Sequence, residues 1–251
     1  MQEKYRLGLV SVSFRGNTPE EILEAMRSAG LCCVEWGSDV HAPCNDKDRL
    51  ELLVDLQKKY GIVCSSYGTY FRFGVTPIAE LEGYLSAAKQ LGTDVVRVWC
   101  GNKSGADMTS EEKKALLAEC FEAARLAEKH DIKLCLECHN GSFTERPEDT
   151  LELLNTINSP CFKTYWQPSQ FVSVEQNIES AIKLAPHTEH IHVFNWEGND
   201  KFPLNDGASK WRQYLSVFGE GHSLLLEFMP DGKIETLMQE ALALRSIVGE
   251  K

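Results

Sequence analysis

Apolar segments of strand length recur along the whole chain. Eight of them can be recognised, and they follow one another at roughly 30 residues, the length of one strand-helix-strand unit. They occupy residues 7–11, 31–36, 62–67, 95–99, 132–137, 162–167, 190–195 and 223–228. Each segment is short and is dominated by apolar or β-branched residues, so the pattern predicts eight β-strands.

The segments between these strands carry helix signals. Thr18 precedes a proline and two glutamates, as at a capped helix N-terminus, and Thr109 and Glu112 have the spacing of a capping box. Gly61 ends the second helical pattern and leads into the third strand. Helices therefore alternate with strands, which predicts parallel strands joined by crossover helices.

Eight such units in a chain of this length are typical of one architecture. We expect an α/β fold in which residues 1–251 form a single (β/α)8 TIM-barrel domain. A doubly wound nucleotide-binding sheet is the alternative, but residues 11–16 after the first strand read SVSFRG and lack its Gly-rich motif. No low-complexity stretch or linker divides the chain.

Composition narrows the classes of function. The chain has 26 Lys and Arg against 37 Asp and Glu, a formal charge of −11. We expect no nucleic-acid partner, because phosphate-backbone binding depends mainly on basic residues. We also expect no membrane partner and a cytoplasmic location, because the apolar runs are short and the N-terminus lacks a signal-peptide core. Nine cysteines, mostly inside apolar runs, fit a reducing compartment.

Polar residues stand at the ends of four predicted strands, where TIM barrels carry their chemistry. Glu137 ends the fifth strand, Gln167 ends the sixth, His192 lies in the seventh, and Glu227 follows three leucines in the eighth. Buried carboxylates need partners, and a divalent metal ion bound by these four side chains would be one. The oxygen-rich ligand set suits Mn, Mg, Co or Zn. Alternatively, Glu137 and Glu227 form ion pairs with arginines of the barrel.

This order of strand-end residues resembles that of the xylose isomerase-like TIM barrels, especially their sugar phosphate isomerase/epimerase branch. The resemblance implies that Glu137 and Glu227 bind the metal and also move the substrate proton, and that His192 is the third ligand. That family usually has an Asp at the end of strand six and a His three residues later, whereas this chain has Gln167 and Gln170. An amide ligand carries no charge, so we expect weaker metal binding and a stronger Lewis acid.

Further residues near the strand ends are candidates for substrate binding. Glu35 could accept a substrate hydroxyl or form a structural salt bridge, and Arg97 could neutralise Glu137 or an anionic substrate. His139 could reach the pocket mouth or stabilise its loop. Aromatic rings after the strands could face the C–H groups of a sugar. The expected substrate-binding residues are Glu35, Tyr67, Arg97, Trp99, His139, Gln170 and Trp196.

The leading hypothesis is a divalent-metal-dependent sugar isomerase or epimerase, in which two glutamates, Glu137 and Glu227, transfer a proton through an enediolate. The substrate would be a small sugar or polyol-derived compound, with an unphosphorylated one slightly preferred. One alternative is a non-catalytic sugar- or metabolite-binding barrel that has lost the full metal site. A DNA-repair enzyme of the endonuclease IV type would need more strand-end histidines. Exposed apolar residues on the barrel helices would permit a homo-oligomer.

Overall fold

A closed barrel of eight parallel strands forms the centre of the fold. The structure, a computed structural model, describes residues 4–249. Each barrel strand pairs with its neighbours in sequence, and the last strand closes the barrel by pairing with the first, with Leu7 opposite Leu224. This arrangement confirms the predicted (β/α)8 barrel. The strands are β1 (Arg6–Val10), β2 (Cys33–Gly37), β3 (Val63–Phe73), β4 (Val95–Cys100), β5 (Lys133–Glu137), β6 (Phe162–Trp166), β7 (Thr188–Val193) and β8 (Ser223–Leu226).

Eight helices surround the barrel, one after each strand. Thr109 and Glu112 form the predicted capping box, and the predicted N-cap Thr18 forms a capping box with Glu21, so backbone N–H groups at both helix starts are satisfied. Gly61 ends the second helix in the left-handed conformation. The helices are α1 (Pro19–Ser28), α2 (Lys47–Tyr60), α3 (Leu81–Leu91), α4 (Ser110–Lys129), α5 (Pro147–Ile157), α6 (Val174–Leu184), α7 (Ala208–Leu215) and α8 (Leu237–Val248). Every helix that the structure describes is too short or too polar to traverse a lipid bilayer.

Two apolar clusters stabilise the fold. The larger lies between the strands and the helices and contains Trp36, Trp166 and Trp211. The smaller fills the inside of the barrel and includes Tyr165 and Val12. Because side chains alternate along a strand, the residue two positions after an inward-facing apolar residue also faces inward. The four apolar-to-charged pairs of this kind are Cys33 and Glu35, Val95 and Arg97, Cys135 and Glu137, and Leu225 and Glu227.

Two features extend beyond the sequence pattern. β3 continues to Phe73, past the predicted end at residue 67, with a register irregularity against β4 between Gly68 and Arg72. The loop after β7 folds into a short antiparallel hairpin of Trp196–Glu197 and Asp200–Lys201. Both segments follow the carboxyl ends of their strands, where the walls of a TIM-barrel site are built.

Candidate active site

Glu137 ends β5 with its two carboxylate oxygens in different surroundings. Oε2 accepts hydrogen bonds from Arg97 Nη1 and Trp99 Nε1. Oε1 faces His192, 3.8 Å from Nδ1. Burial favours the protonated carboxyl, but the charges of Arg97 and His192 outweigh burial and lower the pKa of Glu137. Two donors thus hold one oxygen, and the other remains available to a cation or a substrate.

His192 on β7 lies between the acidic residues. Its Nδ1 is 3.0 Å from Gln167 Oε1, and Gln167 Nε2 donates to the Cys138 carbonyl at 2.9 Å. Its Nε2 is buried and lies 3.6 Å from Glu35 Oε1, beyond hydrogen-bond distance. Burial opposes a charge on the ring, but Glu227 and Glu35 outweigh burial and raise the pKa of His192 to about 9. The surroundings of His192 therefore attract positive charge.

Glu227 follows β8 directly and is the least neutralised carboxylate of the site. Its backbone N–H donates to the Val193 carbonyl at 2.9 Å, and its Oε2 is 3.5 Å from His192 Nδ1. No arginine in the described part of the chain forms an ion pair with it. Burial raises the pKa of Glu227, and the neighbouring Glu137 adds to this effect despite the attraction of His192.

These side chains have the spacing of a metal site. One ligand atom each from Glu137, His192 and Glu227 lie within 4.8 Å of one another. Around an ion with bonds of about 2.1 Å, adjacent ligand atoms are roughly 3 Å apart and opposite ones roughly 4 Å. Gln167 Oε1, at 3.0 Å from His192 Nδ1, fits as an adjacent fourth donor. The residues present therefore fit a divalent cation, with oxygen donors and one imidazole.

Glu35 and Arg97 form a buried ion pair beneath this site. Arg97 Nε is 2.8 Å from Glu35 Oε1, with 3% and 0% of their side chains exposed. Glu35 Oε2 also accepts from Ser66 Oγ at 2.9 Å. Burial would raise the pKa of Glu35, but Arg97 and His192 outweigh burial and lower it. Of the two interpretations of Glu35, the structure contains the salt bridge.

A cavity of about 450 Å³, here called the central cavity, opens above these groups. Arg15, Tyr70 and Phe171 line it although the strand pattern did not select them. Phe171 lies in a loop and gives no periodic signal, whereas Arg15 could have been noticed as a basic residue soon after the first strand. The predicted residues that line the cavity are Arg97, Trp99, Glu137, His139, Gln167, Gln170, Trp196 and Glu227.

Tyr67 lies away from the central cavity. It is fully buried in the cluster between strands and helices, and its hydroxyl donates to the Ala42 carbonyl at 2.5 Å. On β3 the neighbouring Ser66 and Gly68 face the Glu35 and Arg97 side chains instead. Tyr67 therefore has a packing role here, and we leave it out of the proposed substrate site.

Trp99 is held from several sides at the wall of the central cavity. His139 stacks on it with ring centroids 4.7 Å apart, and the Arg72 guanidinium lies 4.0 Å from the ring centroid. Tyr70 meets it edge-on at 5.6 Å. Because Trp99 also donates to Glu137, these contacts fix the direction of that hydrogen bond.

Comparison with known proteins agrees with this architecture. The family model of the xylose isomerase-like TIM barrel matches residues 23–246. The chain belongs to the xylose isomerase-like TIM barrel family. A 3-dehydroshikimate dehydratase of Bacillus anthracis is 25% identical over 129 residues, which are 49% of this chain and 44% of that relative. The matched segment thus spans less than half of the relative's length.

Several solved structures share the fold at low sequence identity. The probable 3-DHS dehydratase AsbF from Bacillus anthracis superposes with a TM-score of 0.80, 18% identity and coverage of 96% of this chain and 98% of that chain. The IolI protein with a bound zinc atom has a TM-score of 0.76, 19% identity and coverage of 97% and 98%. A D-psicose 3-epimerase from Clostridium cellulolyticum H10 has a TM-score of 0.73, 11% identity and coverage of 98% and 100%.

Proposed function

We propose that this chain is a divalent-metal-dependent isomerase or epimerase of a small sugar or polyol-derived carbonyl compound. One observation carries the proposal: ligand atoms of Glu137, Glu227 and His192 lie within 4.8 Å of one another below the central cavity. Arg15 and Arg97, which line this cavity, already pair with carboxylates. An unphosphorylated substrate therefore suits the central cavity better than a phosphorylated one.

The proposed metal ligands are Glu137, Gln167, His192 and Glu227, and Mn, Mg, Co or Zn would suit them. When bound, the ion polarises the substrate carbonyl and the adjacent hydroxyl and so acidifies the C–H between them. His192 would bind through its neutral imidazole, so the cation takes the place of the proton that the surrounding carboxylates favour.

The two glutamates have different proton affinities, which fits different roles in the reaction. Glu227, whose pKa is raised by burial, removes the substrate proton as the general base. The C–H electron pair then moves toward the carbonyl and gives an enediolate. Glu137 serves as the second proton carrier: it takes the proton of the substrate hydroxyl and delivers it to the opposite face of the carbon, while Glu227 holds the proton from the C–H. Transfer of that proton from Glu227 to the hydroxyl oxygen completes the epimerisation and leaves both glutamates ionised again. Trp196 and Phe228 form an apolar wall that excludes water from this centre.

The test follows the substrate C–H bond directly. Proton NMR in deuterated water, with the diamagnetic ion Mg²⁺ present, measures exchange of the C–H next to the carbonyl in a panel of ketoses and aldoses. We expect Glu137→Gln and Glu227→Gln to lower the rate by 10²-fold or more, since general acid-base groups contribute about 10²–10⁴-fold. The exposed Glu220→Gln is the matched control. Retention of most activity in both site variants would disprove the proposal.

A dehydratase is a second candidate, supported by the match to the 3-dehydroshikimate dehydratase. Loss of water from a hydroxy-carbonyl compound begins with the same proton removal next to the carbonyl, and then the β-hydroxyl leaves. The same NMR experiment separates the two reactions, because dehydration yields a new alkene signal while epimerisation yields only exchange and a diastereomer.

A non-catalytic binding barrel is a third candidate, and Gln167 is the observation in its favour. The side chain adds no charge, and both ends of its amide already have partners in His192 and Cys138. Mass-spectrometric metal analysis before and after chelation separates this candidate from an enzyme. Tight sugar binding without stoichiometric metal would support the binding protein.

A further inference from the structure

A second cavity lies beside the central cavity, between the beginnings of α5 and α6. It has a volume of about 440 Å³ and is here called the outer groove. The two cavities share a wall formed by His139, Asn140, Gln167, Gln170 and Phe171. The two cavities are therefore adjacent, and the same five residues face a ligand in either one.

Hydrogen bonds hold the shared wall in place. Asn177, buried on α6, accepts from the Ser169 backbone N–H at 2.8 Å through Oδ1 and donates to the Ser169 carbonyl at 3.0 Å through Nδ2. The Gln170 carbonyl accepts from the Gly198 N–H of the hairpin at 3.0 Å. The wall is thus ordered before a ligand binds, which lowers the entropic cost of binding.

In the part of the chain that the structure describes, the wall presents polar side-chain atoms without a hydrogen-bond partner. His139 Nδ1 lies 2.7 Å from the Asn140 carbonyl, which can only accept, so Nδ1 donates this hydrogen bond. Within residues 4–249, the Gln170 side-chain amide has no hydrogen-bond partner. The Phe171 ring beside them is 58% exposed. Donors and acceptors next to a ring face suit a sugar, which has hydroxyls at its edge and C–H groups on its face.

The charges of the outer groove disfavour an anionic group. Lys183 forms an ion pair with Glu148, and Arg146 Nε lies 3.7 Å from Asp149 Oδ2. Glu179 adds a further negative charge to the lining. The basic residues of the groove therefore have acidic partners already, and a phosphate or carboxylate would meet net repulsion.

From this geometry we propose that the outer groove is a glycosyl subsite, which takes a second, uncharged sugar unit linked to the reacting one. This inference rests on the proposed function and adds a substrate class to it: glycosylated carbonyl sugars in preference to free monosaccharides. The reacting unit occupies the central cavity, and the glycosyl unit lies on Phe171 with its hydroxyls toward Gln170 and His139.

Isothermal titration with two ketoses tests the subsite. D-fructose fills the central cavity alone, whereas maltulose is the same ketose with a glucosyl unit attached. In the presence of Mn²⁺ we expect maltulose to bind the full chain at least tenfold more tightly than fructose. Glu179→Trp, which places a bulky side chain in the outer groove, should lower the affinity for maltulose at least tenfold.

The control substitution is Ile182→Trp on the same helix, because Ile182 is 59% exposed and lines neither cavity. It should keep the preference for maltulose. Equal affinities for the two ketoses, no binding of maltulose, or an unchanged affinity in a folded Glu179→Trp variant would each overturn the subsite. Exchange of the substrate C–H in deuterated water, followed in the same samples, reports the isomerase separately. Its absence alongside a maltulose preference rejects only the isomerase.

Discussion

Removing Arg97 tests whether one guanidinium keeps two buried carboxylates ionised. In Arg97→Met, Glu35 keeps its fully buried position but loses the partner at 2.8 Å. The attraction at this distance is about 6 kcal/mol for an effective dielectric constant of 20, before the cost of desolvation. Removing one partner of a buried pair usually costs about 3–5 kcal/mol.

Protonation of Glu35 limits this loss. The pKa of a glutamate carboxyl in the unfolded chain is about 4.3. If the folded state requires the neutral form, protonation lowers the free energy of unfolding by about 3.7 kcal/mol at pH 7 and by about 1 kcal/mol at pH 5. In the wild type, the folded pKa of Glu35 lies below its unfolded value, so its contribution to stability is present above that value and declines as the pH falls. The deficit of the variant should therefore shrink as the pH falls from 7 to 5.

Urea unfolding followed by far-ultraviolet circular dichroism at pH 5, 6 and 7 measures this difference. We expect a loss in the free energy of unfolding of about 4 kcal/mol at pH 7, which lowers the melting temperature by roughly 10 °C for a chain of this size. The double variant Glu35→Gln with Arg97→Met removes the buried charge and should lose most of the pH dependence. An equal deficit at pH 5 and pH 7, or a deficit below about 1 kcal/mol at pH 7, would refute the reasoning.

Three further predictions concern the metal site and its support. Gln167→Glu adds a negatively charged ligand of the same length, so Mn²⁺ titration should show at least tenfold tighter binding, a gain of about 1.4 kcal/mol in binding free energy. An unchanged affinity would remove Gln167 from the ligand set. Mn²⁺ at 100 times its dissociation constant should stabilise the fold by about 2.7 kcal/mol, visible as a higher melting temperature that chelation reverses, and a constant melting temperature would count against the site. Gly68→Ala should lower the free energy of urea unfolding by about 1–3 kcal/mol, because the added Cβ would lie 2.5 Å from Glu35 Oε1. Gly219→Ala should leave it unchanged, because the added Cβ would have no described atom within 4 Å. Equal stability of these two glycine variants would show that β3 moves to make room.

The strand pattern predicted the barrel because each strand needs a buried apolar segment and each crossover needs a capped helix. The same alternation that placed Cys135 inside the barrel also placed Glu137 there, two residues later. Strand ends are therefore the part of the site that sequence reasoning can reach. The sequence leaves a salt bridge of Glu35 open as one of two alternatives but does not name Arg97 as its partner, because that pairing depends on the relative register of β2, β3 and β4.

Tyr67 shows where the strand pattern fails. The register of β3 shifts against β2 near Glu35, so the face of each β3 residue does not follow from counting along the segment. The outer groove was missed for a different reason. Its shared wall is built from loop residues such as Phe171 and Gln170, whose positions depend on contacts with α6 and with the hairpin after β7.

A buried series of hydrogen bonds and ion pairs links Ser66, Glu35, Arg97 and Glu137. It divides the site into positions that can change alone and positions that cannot. Loss of Glu35, Arg97 or Glu137 leaves a buried charge without its partner unless a residue on a second strand changes as well, so we expect substitutions there to be rare and paired. Substitutions in the loops that form the cavity walls do not separate these buried ion pairs. Related proteins with this fold can therefore change the loops around the central cavity while the buried ion pairs beneath it stay the same.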